Sequence, residues 1–468
     1  VQAWFRFILR HRGGVLAALA LVTALAAWST SRATLSSSLQ QLFFGESVTY
    51  DAYLDKARAF GSDEFILVGY ADPTPLSVAS LDRLERAREG LLALPDVGAV
   101  HSLLDAASVD GGGGLLTVET WAERARAAPD DAPALARMAA EDPRSSGVFI
   151  DPTGEVGGAL LVELTVNPDR RGEDVPALRD GVRAALSAAG YAERDVHLAG
   201  LPVIVAGLID ASAWNLAVLF PITGAVLLVT VWALYGRLAP ALTALGVSLV
   251  AVLWTTGFAA VLDPRFSVFL AVVPAMVVIV AFSDIIHLWS AWLTERERGK
   301  RGEDAIVAAA EDVGRACLLT SATTFVGFVS LSLVPTPVFR QLGVVLGFGV
   351  SVALLLAMTL VPILQTRITP PPVTADRGRR MQRLVGALDQ GAHQLSARRP
   401  RSVVAGFAVA LSVAVFGLTQ LHIDAAFLDR FAPGSRLRVD SDWLQAHFVG
   451  SETLDVFVSF AETEGLLQ

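Results

Sequence analysis

Residues 271–292 read AVVPAMVVIVAFSDIIHLWSAW, an apolar run that carries one acid, Asp284, with His287 three positions later. A helix of about 20 predominantly apolar residues crosses a bilayer. A carboxylate inside such a helix would cost at least ~2.5 kcal/mol if it faced bare lipid, and intramembrane acids commonly mark ion or proton pathways. Three readings compete for Asp284: a proton-coupling site, a buried structural hydrogen-bonding group, or a residue of a helix that never enters a bilayer.

The rest of the chain bears on that choice. Of 468 residues, 53% are hydrophobic and only 18% charged, with a mean hydropathy of +0.52, whereas soluble domains run near 25% charged. The polarity is segregated into blocks. Apolar segments of spanning length occur at 13–31, 213–234, 239–261, 267–290, 316–334, 341–365 and 402–420, which predicts a polytopic α-helical membrane protein. The net charge of -9 gives no basic field for nucleic acid. The lone Cys317 excludes a disulfide-stapled external domain.

Loop charges orient the bundle. Arg10 and Arg12 precede the first span, Arg237 follows the second, and Arg296, Arg298, Lys300 and Arg301 follow the fourth; Arg377, Arg379, Arg380, Arg399 and Arg401 precede the seventh. With simple alternation all lie on one side, which the positive-inside rule makes cytoplasmic. The N-terminus is then cytoplasmic, while residues 32–210 and those after 421 face outward. Trp28, Trp214, Trp289 and Trp292 are expected at the membrane interfaces. The stretch 305–313 predicts a short amphipathic helix anchored on the cytoplasmic surface.

A long-range repeat adds a second constraint. RHRGGVLAALALVTALAAWSTSRATLSSSLQQLFFGESVTYD, ending at Asp51, aligns without a gap on RPRSVVAGFAVALSVAVFGLTQLHIDAAFLDRFAPGSRLRVD, ending at Asp440, and the match continues to Gly61 and Gly450. A unit of one helix, an external domain and five more helices implies a second such unit, and parallel repeats of this kind are a transporter design. Residues 421–468 then begin a second external domain and are expected to be poorly packed. The first domain predicts strands at 64–70, 98–104, 158–166 and 195–199 and helices at 77–94 and 175–189, the order of a split βαβ (ferredoxin-like) α+β unit. Its insertion holds four glycines at 111–114, read as a flexible turn, and a helical stretch near 120–138.

The succession AGLPVIVAGLIDASAWNL (199–216), VWALYGRLAPALTAL (231–245), VPAMVVIVAFSDIIHLWSAW (273–292) and LLTSATTFVGFVSLSLVPTPVFRQLGVVLGFGV (318–350) resembles the resistance-nodulation-division superfamily. It is most similar to the branch of mycobacterial large membrane proteins and hopanoid-exporting permeases. The resemblance implies a multi-pass protein of the bacterial inner membrane, with 32–210 as a periplasmic porter domain and 367–401 as a cytoplasmic linker. It implies proton-driven export of lipids or other hydrophobic compounds, protons as the coupling ion, and no further cofactor. The implied partners are a lipid or hydrophobic substrate, membrane lipids and the second half of the same protein; a homo-oligomer or periplasmic accessory protein is compatible with it. The coupling acid of such proteins matches Asp284. Many relatives carry Asp one position earlier, where this chain has Ser283.

Asp284 and His287, three apart, fall near one helix face. Ser283 is a candidate relay or helix-contact partner, as are Ser321, Thr323 and Thr324 of the TSATT cluster across the bundle, although such hydroxyls also bond their own helix carbonyls. Gly327 is expected to permit close helix approach, and Pro221, Pro274 and Pro362 are candidate kinks or hinges. Asp151, Glu155, Glu163 and Asp174 read as ordinary surface acids. The seven histidines lack zinc-ligand spacing, and no enzyme constellation stands out. The rival reading keeps the helices but drops transport: a lipid-binding or sensing module, or an envelope scaffold, with a bundle similar to that of sterol-sensing proteins.

Overall fold

The computed structural model describes residues 2–35, 64–110, 117–165, 174–235, 238–368, 399–421 and 431–448, with a few single positions besides. The glycines at 111–114, most of the 367–401 linker, and the repeat positions Gly45, Asp51, Gly61 and Gly450 lie outside the described residues. So do Arg237, Arg377, Arg379, Arg380, His393 and His422. The chain divides into a helical unit, built on Val1–Ser36 and Ala211–Ala425, and an α/β unit, built on Glu46–Asp210 and Ala426–Gln468.

In the α/β unit, strands β1 (Phe65–Ala71), β2 (Val97–His101), β5 (Gly157–Leu164) and β6 (Val196–Ala199) form one sheet in the order β2-β5-β1-β6. Every neighbouring pair is antiparallel. The insertion contributes a separate hairpin, β3 (Ala107–Asp110) with β4 (Thr117–Thr120), and helices Trp121–Ala127 and Ala132–Glu141. Thr120 and Glu123 close a capping box at the first of these, which satisfies two otherwise free helix N–H groups.

Strand alternation sorts the sheet's side chains onto two faces. Ile66, Val68, Tyr70, Leu160, Val162 and Leu198 join a core with Leu81, Leu84 and Leu91 of the helix Val78–Leu92, and with Val182 and Leu186 of the helix Asp174–Ala189. Leu67, Ala159 and Ala199 point the other way and are covered by Leu444 and Phe448 from the end of the chain. The expectation that 421–468 is poorly packed therefore fails for its described part. The helix Arg436–His447 lies so close that a Cβ on Gly69 would stand 2.5 Å from the Trp443 ring and 2.6 Å from Leu444.

Among the described residues, seven helices are long and apolar enough to cross a membrane: Arg12–Thr30, Leu201–Ala233, Leu238–Leu262, Val268–Glu297, Gly302–Leu333, Pro337–Gln365 and Pro400–Leu418. The third, fourth, fifth and sixth pack on one another, with Val247, Ala251, Val277, Ala281, Leu346 and Ala353 in a common core. Two expectations are corrected here. The segment 305–313 is no separate surface helix but the first part of the fifth span, with Ala305, Ile306, Ala309 and Ala310 buried in the protein core. Nothing between 305 and 316 breaks a helix, so the α-helix Gly302–Ser330 runs on for 29 residues. Trp28 and Trp214 are exposed, as interface residues would be, but Trp289 and Trp292 are buried and meet edge to face at 5.1 Å.

Candidate functional site

The fourth span begins in a 3-10 turn, Val268–Val272, and Pro274 stands in the first helical turn of Val273–Glu297. A missing N–H costs nothing there, so Pro274 starts this helix without kinking it. Asp284 follows about three turns later, and at 1.5 Å per residue it lies roughly 15 Å along the helix from Pro274. Its side chain faces inward and is 5% exposed.

Asp284 is held from the fifth span. Ser321 donates its hydroxyl to Asp284 Oδ2 at 3.1 Å, and the Cys317 thiol is a second hydrogen-bonding partner. Cys317 and Ser321 are four residues apart and therefore share a helix face. Serine and cysteine are neutral, so the carboxylate has no fixed countercharge from them. The imidazole of His287 acts on Asp284 electrostatically, but His287 and Ser283 lie on the exposed side of the helix.

The neighbouring TSATT hydroxyls behave differently. Thr323 and Thr324 both donate to Thr320 O at 2.8 Å, which satisfies them within their own helix. Of the four hydroxyls singled out from the sequence, Ser321 reaches the acid. Gly327 is open, since a Cβ there would meet no atom within 4 Å. Close helix approach occurs instead at Gly257 against Ala26, Gly347 against Val329, and Gly349 against Val277 and Thr255. Pro221 is the second residue of the α-helix that follows a π-helical turn, Asn215–Leu219, whose wider spacing accommodates the absent proline N–H. Pro362 stands inside the last turn of Pro337–Gln365.

The buried acids of the α/β unit are built on another plan. Asp151, expected on the surface, is 1% exposed. It accepts from the N–H groups of Thr153, Val156 and Gly157 and from the Thr153 hydroxyl. Burial opposes its charge, but these donors prevail and hold the carboxyl below the usual range. Asp72 accepts from Thr74 N–H, the Ser80 hydroxyl and Arg83, the last at 2.7 Å. Asp440 takes Arg183 at 2.8 Å, His197 Nδ1 at 3.0 Å and the Leu198 N–H at 3.3 Å. Burial again opposes the charge, and the His197 and Arg183 bonds outweigh it and hold Asp440 below its ordinary value. Burial also draws the Arg183 guanidinium down, from a reference so high that it stays charged.

Among the described residues, no group of three or more His, Cys, Asp and Glu side chains could hold a metal ion. A cavity of about 760 Å³ opens in the α/β unit, lined by Pro73, Pro75, Pro129, Pro133, Arg137 and Glu155 among others.

A multi-helix bundle of spanning length with an inserted α/β domain is consistent with a transport-type membrane protein. The profile of the MMPL family matches residues 153–403, more than half of the chain, and the chain belongs to that family. Proteins of that family are transporters and not enzymes. Membrane protein MJ1562 of Methanocaldococcus jannaschii is similar, 34% identical over 116 residues that make up 25% of this chain and 30% of that protein. The chain thus matches well under two thirds of that relative's length.

Proposed function

We propose that this chain forms part of an exporter that moves lipids or other hydrophobic compounds across or out of the bacterial inner membrane, driven by the proton-motive force, with Asp284 carrying the coupling proton. The observation that carries the reading is the bonding of Asp284. It is buried between two membrane helices and held by a hydroxyl and a thiol. An acid without a fixed cation can exist both protonated and charged, so a change of access can load and unload it. His287, on the exposed side one turn away, is the proposed point of contact with the proton path or with the other half of the transporter.

Further support comes from the α/β unit. Its chain order, strand-helix-strand twice over, and its antiparallel sheet order β2-β5-β1-β6 support reading it as a ferredoxin-like, split βαβ porter domain. We place this domain in the periplasm and the N-terminus in the cytoplasm, on the loop arginines. The proposed parent protein holds a second repeat beyond the matched region.

In proteoliposomes of the parent protein, Asp284→Asn should abolish substrate-dependent proton flux while leaving the protein folded. Unchanged flux in the folded variant would remove Asp284 as the carrier. A parent protein that binds lipid yet moves neither lipid nor protons would instead support the sensing role.

A further inference from the structure

The first described residues form a helix of their own, Gln2–Arg10, before the first span begins. Phe5, Ile8 and Leu9 are buried, and the helix packs on the fifth and sixth spans. Gln2 Nε2 donates to Glu311 Oε2 on the fifth at 2.7 Å. The opposite side is not an ordinary solvated face. Trp4 is 45% exposed and Phe7 54%, and Phe7 stacks obliquely on His11 at 4.7 Å. At 100° per residue, Trp4, Phe7 and His11 make one stripe, and Arg6 and Arg10 make a second between that stripe and the buried face.

Residues 1–12 hold Arg6, Arg10 and Arg12 and no acid, in a chain of net charge -9. Among the described residues, none of the three has an acidic partner in ion-pair range. An aromatic stripe flanked by unpaired guanidinium groups, on a helix that leads directly into a membrane span, is built for the headgroup boundary. Aromatic rings sit at that depth, and cations there are drawn to anionic lipid.

We infer that the helix Gln2–Arg10 is a lipid-operated clamp. Anionic phospholipid of the cytoplasmic leaflet binds Arg6 and Arg10, the bilayer receives Trp4 and Phe7, and the helix is thereby held on the fifth and sixth spans. The fifth span is one continuous α-helix from Gly302 to Ser330, so the clamp grips the rod that carries Cys317 and Ser321. Lipid charge then bears on the setting of Asp284. The lipid contact itself does not depend on the transport reading, and only this last consequence rests on it.

The test is hydrogen exchange across residues 2–10 of the protein in nanodiscs of phosphatidylcholine, with and without one part in three of phosphatidylglycerol. The anionic lipid should slow exchange at least tenfold, and added salt should shrink that gain through screening. The double variant Arg6→Gln/Arg10→Gln should lose the gain yet keep its protection in pure phosphatidylcholine. Phe5→Ala should lose protection in both lipids. Equal exchange in the two compositions, a gain that survives the double variant, or the same gain from inorganic phosphate would each overturn the clamp. Brominated lipid should quench the emission that Trp4→Phe removes; an unquenched Trp4 would mean that protein covers this face, and would also overturn it.

Discussion

Asp72, Asp151 and Asp440 of the α/β unit are as deeply buried as Asp284 of the helical unit, but the donors around them differ in number and kind. Each of the first three takes at least three hydrogen bonds, from backbone N–H groups, hydroxyls, arginine or histidine, and each has at least one backbone N–H among its donors. For Asp151 and Asp440 these donors hold the carboxyl below the ordinary range, and removing any of the three acids strands its donors. Asp284 receives a serine hydroxyl and a thiol. Neither donor imposes a charge state, and losing the acid strands little. Under the proposed function, saturation goes with an acid that holds structure and sparing satisfaction with one that changes protonation.

The largest break in that contrast should come at Asp440. Asp440→Ala would leave Arg183 and His197 facing an empty, buried position, and removal of one partner of a buried pair costs about 3–5 kcal/mol. The loss should fall on the docking of Arg436–His447, where His197 also stacks on Trp443 at 4.2 Å, and hydrogen exchange in that helix should rise accordingly. Gly69→Ala attacks the same contact by volume, because the new methyl would overlap Trp443 and Leu444. Overpacking of this kind costs about 1–3 kcal/mol, and the same exchange measurement should register a smaller rise.

Acid offers a third route. The folded carboxyl of Asp440 is held below its ordinary value, so its contribution is present above the unfolded reference of about 3.9. That contribution is lost as pH falls through the lower folded value. Pepsin should therefore leave Arg436–His447 intact near pH 5 and cut it increasingly as the pH drops below 4. Cutting that does not rise faster than that of an unstructured peptide in the same digest would show that the Asp440 charge does not hold the helix.

The ease with which the two units could be read from sequence also differs, for physical reasons. Spans show as long apolar runs because a bilayer demands them, and the strands β1 and β5 show as β-branched and leucine-rich runs. What a helix buries is less legible. Trp289 and Trp292 stand near a span end and read as interface residues, yet neighbouring helices cover them. Asp151 looked like any loop acid, because its donors are backbone groups that no sequence displays. Ser321 was visible as one of several hydroxyls, and the i,i+4 spacing of Cys317 and Ser321 was the available sign that both face one neighbour. The docking of Arg436–His447 had no local signal at all, since it depends on contacts more than 200 positions away in the chain.

Asp284→Asn should be nearly silent where Asp440→Ala is not. An amide fills the same volume and can still accept from Ser321, so unfolding in detergent should shift by less than about 1 kcal/mol. The expected loss is of protonation, not of fold. Dicyclohexylcarbodiimide, which modifies protonated carboxyls in apolar surroundings, should label Asp284 in the native protein in a pH-dependent way, and labelling at that position should vanish in the variant. A large stability loss in Asp284→Asn would place this acid with Asp440, as a structural group.

The smallest expected effect, and the one that divides the two kinds of acid most finely, belongs to Ser321→Ala. Ser321 is buried and its hydroxyl is spent on Asp284, so the substitution removes one neutral hydrogen bond, worth about 0.5–1.5 kcal/mol. Cys317 remains as a partner, one turn earlier on the same face. If Asp284 is a fixed charge, the lost donor must be replaced, and the variant should be destabilised by the full amount at neutral pH. If Asp284 spends part of its time protonated, the acid can itself turn donor, and the penalty should shrink as the pH is lowered. Stability of Ser321→Ala relative to the native protein, followed from pH 8 to pH 5, therefore reads the charge of Asp284 without touching it. A penalty independent of pH would leave the carboxyl in one state throughout, and the contrast between the two units would lose its functional meaning.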